Sequence, residues 1–322
     1  MVRYTLMKGL RFILCLGIVI TLQFAIPRLM PGSPVNSVLG PDSPALSEKE
    51  YRELERSMGL DLPLRMQFQN HVVNIVRLDL GFSFHYRREV VDVIAQHIGP
   101  TLQIVLPSVV VSAGLAILLG VCAGRCAGGK LDFLLSSFFL VVYAMPAFLT
   151  AMVSLALFSL GWDLLPLGGL GGAGPGCGTA AGWLDELRHM VLPVTVLSVS
   201  TVAPKYLVMR NRVVEEAGRE YVIFARAKGL EEPRILLVHI LRNACLPVIN
   251  LIALDFGFIL SGSLLIEIVF SINGMGSLLH EAGMNRDYPM LQGCFLLLSL
   301  VVLAVNFMVD ILSGFLDPRA TP

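Results

Sequence analysis

Five apolar runs, each long enough to cross a bilayer as a helix, divide this chain: Thr101–Gly124, Leu131–Leu160, Met190–Ala203 with an extension through Met209, Pro247–Ile266 and Leu291–Ile311. A hydrocarbon core of about 30 Å takes about 20 residues of helix, and inside it every backbone polar group must be paired within the protein. A sixth run, Phe12–Ile26, is shorter, but Arg11 and Arg28 flank it and their long stems reach back to the interface. These runs predict an all-α membrane protein with six transmembrane helices. Composition agrees, at 55% hydrophobic and 15% charged residues with a mean hydropathy of +0.73.

Short loops rich in Lys and Arg face the cytoplasm. Arg3, Lys8 and Arg11 precede the first run, Arg125 and Lys130 join the second and third, and eight Lys/Arg lie between Lys205 and Arg242. The short loops on the other side carry only Arg188 and Arg286, so both termini are expected to be cytoplasmic. No small-x-small site follows Ile26, so the first run reads as a retained span rather than a cleaved leader. A net charge of zero offers no argument for nucleic acid as a partner, and membrane lipid is the expected surroundings. The chain divides into residues 1–99, one span and a long outside segment, and residues 100–322, a five-helix core with a cytoplasmic loop at 210–246. In the outside segment SEKEYRELERSMGL predicts an amphipathic helix ending at Gly59, and Gly161–Gly182 reads as a glycine-rich linker.

Two nucleotide signatures fail on context. Gly169-Leu-Gly171-Gly-Ala-Gly174 is formally GxGxxG, but Pro175 and Gly176 follow where a phosphate-binding helix would begin. Gly124 to Lys130 matches seven positions of a P-loop, yet Leu131 stands where a hydroxyl must meet magnesium, and a tight turn explains the glycines better. The six histidines are scattered, the six cysteines form neither a CxxC nor a zinc set, and neither GxSxG nor HExxH occurs. The chain is read as performing no chemistry of its own, with no bound cofactor and no metal site.

One segment remains. Glu220–Pro247 carries too many charges for lipid, yet Tyr221, Phe224 and Ala225 recur at helical spacing, Gly229 suits a helix stop and Pro233 a new first turn. Two short helices joined at a glycine are predicted there, with Pro247 beginning the fifth span. Asp255, the only acid placed deep within a run, raises a role in a transport pathway, because an intramembrane charge usually faces a cavity or a partner.

Ala225 to Leu230, ARAKGL, followed by HILRNACLP at 239–247, resembles the cytoplasmic coupling loop of ABC-importer permeases, and more narrowly the dipeptide, oligopeptide and nickel permease family. The likeness continues through MPGSPV at 30–35, MGLDLPL at 58–64, DLGFSF at 79–84, RHMVLP at 188–193, FSINGMG at 270–276, RDYPMLQG at 286–293 and NFMVDILSGFLDPR at 306–319. It implies the first permease subunit of an importer in a bacterial inner membrane, with a type I permease core and cytoplasmic coupling helices. Partners so implied are a homologous second permease, two cytosolic ABC ATPases that hold ATP and magnesium, and a periplasmic or lipid-anchored substrate-binding protein. Glu220, Ala225, Arg226, Ala227, Lys228, Gly229, Leu230, Arg242, Asn243 and Pro247 would then form the ATPase-coupling loop, the small residues allowing close approach and Arg226, Lys228 and Arg242 meeting acids on the ATPase. Where the family pattern has Glu-Ala-Ala, this chain has Ile223, Phe224 and Ala225, leaving Glu220 as the nearest acid. Peptides are the first expectation for the substrate and nickel or a nickel chelate the second. An ion-coupled secondary carrier is the alternative from another class.

Overall fold

A computed structural model describes residues 2–29, 61–83, 85–171 and 179–316, with positions 47, 49, 52, 53 and 56. The helix expected to end at Gly59 lies largely outside the described residues, as does Cys177. Helix α1 spans Val2–Leu29 and α2 Leu64–Val76. A two-stranded antiparallel ladder pairs β1, Phe82–Ser83, with β2, Arg88–Glu89, before α3 at Val90–Arg125. Then come α4, Lys130–Ala144, and α5, Ala147–Leu155, which widens into a π-turn over Ala156–Gly161. Next are α6 at Ala180–Ala217, α7 at Glu220–Ala227, a lead-in of one turn at Glu232–Arg234 and a π-turn at Ile235–Ile240, and α8 at Leu241–Val269. Helices α9, Met275–Met284, and α10, Tyr288–Leu316, close the chain. Among the described residues five helices are long and apolar enough to cross a membrane, and a sixth crossing is counted if α4 and α5 together make one span.

The third run departs from a straight span. It bends by 97° between α4 and α5. Pro146 has no N–H to donate and pushes Met145 into the extended region, at φ −85° and ψ 130°, so helical pairing stops at Ala144. The fifth span is also longer than expected: Pro247 lies inside α8, and the helical path starts at Glu232. Pro233 occupies that first turn, as its fixed φ favours.

The longest packed seam joins α3 to α6. Gly120 and Gly124 carry it, because an added Cβ would come within 2.8 Å of Met209 Cβ or Val213 Cβ respectively. Small residues four apart let two membrane helices approach this closely, and dispersion then replaces lipid contact. At the end of this seam Arg210 grips Asp132 with Nε–Oδ1 at 2.9 Å and Nη2–Oδ2 at 2.5 Å. Asp132 also accepts from Gly128 N at 2.8 Å, fixing the turn at Cys126–Gly129, where Gly128 sits at φ 78°.

At the opposite end a buried carboxylate ties three helices together. Glu267 accepts from Thr101 Oγ1 at 2.8 Å, Gly276 N at 2.7 Å and Ser277 N at 2.9 Å, capping α9 from α8 and α3. A Cβ at Gly276 would stand 2.4 Å from the Leu264 Cα, so only glycine permits this approach. Glu267 is wholly buried and Asp132 only 5% exposed, although each stands at an end of an apolar run rather than deep within one as Asp255 does.

Candidate functional site

The segment between α6 and α8 folds as a short helix laid across their ends. Val222 and Ala225 of α7 are buried against Met209 and Val213 of α6 and against Ile235, Ile240, Ala244 and Val248 of the following path. Three large apolar or aromatic side chains of α7 face outward instead, with Tyr221 39%, Ile223 57% and Phe224 61% exposed. The helix is therefore apolar on two sides, one seated on its own bundle and one open.

Its end is built as the glycine predicted. Gly229 sits at φ 75°, its N–H donates to Arg226 O at 2.9 Å, and the Leu230 N–H reaches back to Ala225 O at 3.3 Å. This pair of reversed bonds satisfies the last carbonyls of α7, and Leu230 packs into the same cluster as Val222.

The expected site residues separate into distinct groups. Ala225 faces its own bundle rather than a partner, whereas Ala227 and Lys228 are exposed, the Lys228 ammonium lying 4.5 Å from the Phe224 ring centroid. Arg226 is engaged within the chain, its Nε 2.7 Å from Glu232 Oε1 across the Gly229 turn. Glu220 stands exposed in the first turn of α7, where a negative charge suits the helix dipole. Arg242 is exposed, while Asn243 donates from Nδ2 to Tyr221 Oη at 2.9 Å. Tyr221 Oη in turn donates to Glu216, and burial together with that carboxylate holds the phenol above its ordinary value of 10.0. Tyr221 thus links the end of α6, α7 and the start of α8.

Asp255 does not stand alone. It pairs with Lys205, whose side chain is only 1% exposed against 13% for Asp255. Lys205 lies within α6 and not in the cytoplasmic loop where its charge suggested, and the positive asymmetry of the loops survives its removal. The pair joins the helix that enters the α7 segment to the helix that leaves it. Among the described residues no three His, Cys, Asp or Glu side chains come together to hold a metal.

Comparison with known families decides the class. Residues 116–322, which contain α7 and its whole seat, match the family described as the binding-protein-dependent transport system inner membrane component. The chain belongs to that family. This permease is 35% identical to a peptide permease protein of Brucella suis biovar 1 over 323 residues, 99% of each chain. It is 33% identical to the dipeptide transport system permease protein DppB of Escherichia coli K12 over 315 residues, 92% of each. It is 34% identical to the glutathione transport system permease protein GsiC of Escherichia coli over 321 residues, 99% of this chain and 98% of the other. Membership sets aside the ion-coupled carrier and makes the chain a multi-pass inner-membrane transport component.

Three features of the permease escaped the residue pattern. Tyr221 was visible only as one apolar position among several, because its partners lie 5 and 22 residues away in sequence. Lys205 and Glu267 find partners 50 and 166 residues away, beyond any local spacing rule.

Proposed function

We propose that this permease is one of two homologous membrane subunits of an ATP-driven importer of short peptides, and that α7 is the helix on which a cytosolic ABC ATPase acts. The observation that carries the reading is the double character of α7: Val222 and Ala225 buried in the bundle, Ile223 and Phe224 exposed together on the other side. An exposed aromatic and aliphatic pair on a helix closed by a rigid turn is the anatomy of an anchor for a partner's cleft. Both termini and residues 210–246 are cytoplasmic in this reading, and a periplasmic or lipid-anchored binding protein delivers substrate at the far end. ATP and magnesium belong to the ATPases. The permease itself moves peptide by converting displacement of α7 into relative motion of α6 and α8. Peptides are favoured over nickel because the relatives are named for peptides and glutathione.

Purifying the tagged permease from its own membrane and reconstituting what accompanies it tests this reading. The expected result is a nucleotide-binding subunit in the purified complex and ATP-dependent uptake of a di- or tripeptide in the presence of binding protein. A complex that lacks any ATPase, or that carries nickel and no peptide, contradicts it.

A further inference from the structure

Helices α1 and α10 touch near the α7 end of the bundle, where Phe12 and Phe307 have ring centroids 5.5 Å apart and Lys8 meets Asp310 at 2.8 Å. Toward the other end a groove of about 520 Å³ lies between them, with Val19, Leu22, Leu291, Phe295 and Ser299 among its walls. A second cavity of about 550 Å³ shares Val19, Phe295 and Ser299 and runs on to Val302 and Leu303.

The first groove offers two donors that have no partner among the described residues, the Gln23 amide nitrogen and the Arg286 guanidinium. Gln23 lines it, is 8% exposed, and its buried Nε2 has no partner among the described residues. Gln292 Nε2 donates to the Gln23 main-chain oxygen at 3.1 Å. Arg286 stands exposed at the mouth and forms no ion pair among the described residues. The neighbouring acids are taken: Asp287 accepts from Ser83 Oγ at 2.5 Å and Met290 N at 3.2 Å, and Glu281 from Tyr86 Oη at 2.6 Å. A ligand for this groove must therefore bring acceptors and one negative charge at one end and a long apolar body behind it.

We propose that the groove binds one anionic glycerophospholipid, with its phosphate on Arg286, a glycerol ester carbonyl on the Gln23 amide and an acyl chain along Phe295 and Ser299 into the second cavity. The dimensions agree. Eleven residues of α10 separate Tyr288 from Ser299, about 16 Å of helix, which takes the chain from headgroup level to about the middle of a 30 Å core. A zwitterionic lipid would bring an ammonium group toward the Arg286 guanidinium, a like-charge approach that an anionic headgroup avoids. The inference rests on membrane insertion and is independent of the peptide reading.

The test is native mass spectrometry of the complex purified from its own membrane and exchanged into nanodiscs of phosphatidylethanolamine with or without phosphatidylglycerol. One phosphatidylglycerol per permease should be retained by the wild type. Arg286→Gln, which removes the charge and shortens the side chain while keeping an amide donor, should retain it about tenfold more weakly, the loss of roughly one charge-assisted hydrogen bond at a partly wet mouth. Arg286→Lys should recover most of that retention, and Ser299→Trp, which fills the groove below the headgroup, should abolish it without touching the charge. Equal retention in wild type, Arg286→Gln and Ser299→Trp overturns the proposal, as does equal retention of both lipids by the wild type. Cross-linking of Phe295→Cys to a second permease subunit also overturns it, because the groove would then be a protein interface.

Discussion

Substitution of Gly229 by valine isolates the turn that closes α7. A Cβ at this position would meet nothing within 4 Å, so the added side chain has room and the penalty is conformational alone. At φ 75° an L-residue costs about 1–2 kcal/mol, and a β-branched one stands at the upper end. That energy reduces the population of the correctly closed turn by roughly 5- to 30-fold relative to wild type. The turn fixes the reversed bonds to Ala225 and Arg226 and the Arg226–Glu232 pair, so its loss should loosen α7 from its seat while leaving the membrane core intact. In reconstituted complexes, Gly229→Val should lower peptide transported per ATP hydrolysed or weaken ATPase binding, with normal membrane insertion. Gly229→Asn, which tolerates the left-handed region, should lose much less. Wild-type coupling in the valine variant, or equal impairment by valine and asparagine, would refute the conformational argument.

Lys205→Met should be far more damaging than Lys205→Met with Asp255→Leu, since the single change strands a buried charge at about 3–5 kcal/mol while the double change replaces the pair with apolar contact; yield and melting temperature of the complex are the readout, and equal damage in both would remove the pair from the account. Asp255→Asn, assayed with neutral and cationic peptides, should slow both equally if the aspartate serves only the α6–α8 tie, whereas selective loss of the cationic peptide assigns it to the pathway. Donation from Tyr86 and then His85 holds the Glu281 carboxyl below its ordinary value of 4.5. A depressed carboxylate contributes stability that is full above the unfolded value and is lost as pH falls through the folded one. The melting temperature should therefore fall more steeply in wild type than in Glu281→Gln as pH drops below about 4.5, and parallel curves would show that the bonds from Tyr86 and His85 to Glu281 add nothing to stability.

Much of the architecture was readable because the membrane imposes a length on each helix. That same regularity concealed the break at Met145–Pro146: apolar residues continue on both sides of it, and the helix stops because the proline lacks an N–H and holds Met145 extended. Gly229 and Pro233 were legible because each acts through its own backbone. The spacing of Gly120 and Gly124 carries the α3–α6 seam, and its meaning depends on the partner helix that fills the gap. Charge patterns misled at Lys205, since a cation near a basic loop looks solvated until the carboxylate 50 residues away is brought beside it. Pro247 reads as a helix start by the same local logic, yet neighbouring packing sustains the helix through it, as membrane helices allow. The two-sided character of α7 lay between these cases: the helical spacing was visible, but which face is buried depends on Met209, Ile235 and Ala244.

The central claim is that the exposed side of α7 seats in a cytosolic ATPase. Phe224→Cys in intact cells tests it directly, with Val222→Cys as the buried control. The account predicts that the thiol at 224 is inaccessible to an impermeant maleimide added outside and is joined by a permeant cross-linker to a nucleotide-binding subunit, while the thiol at 222 is not. Labelling of position 224 from outside, or equal cross-linking from both positions, would contradict it.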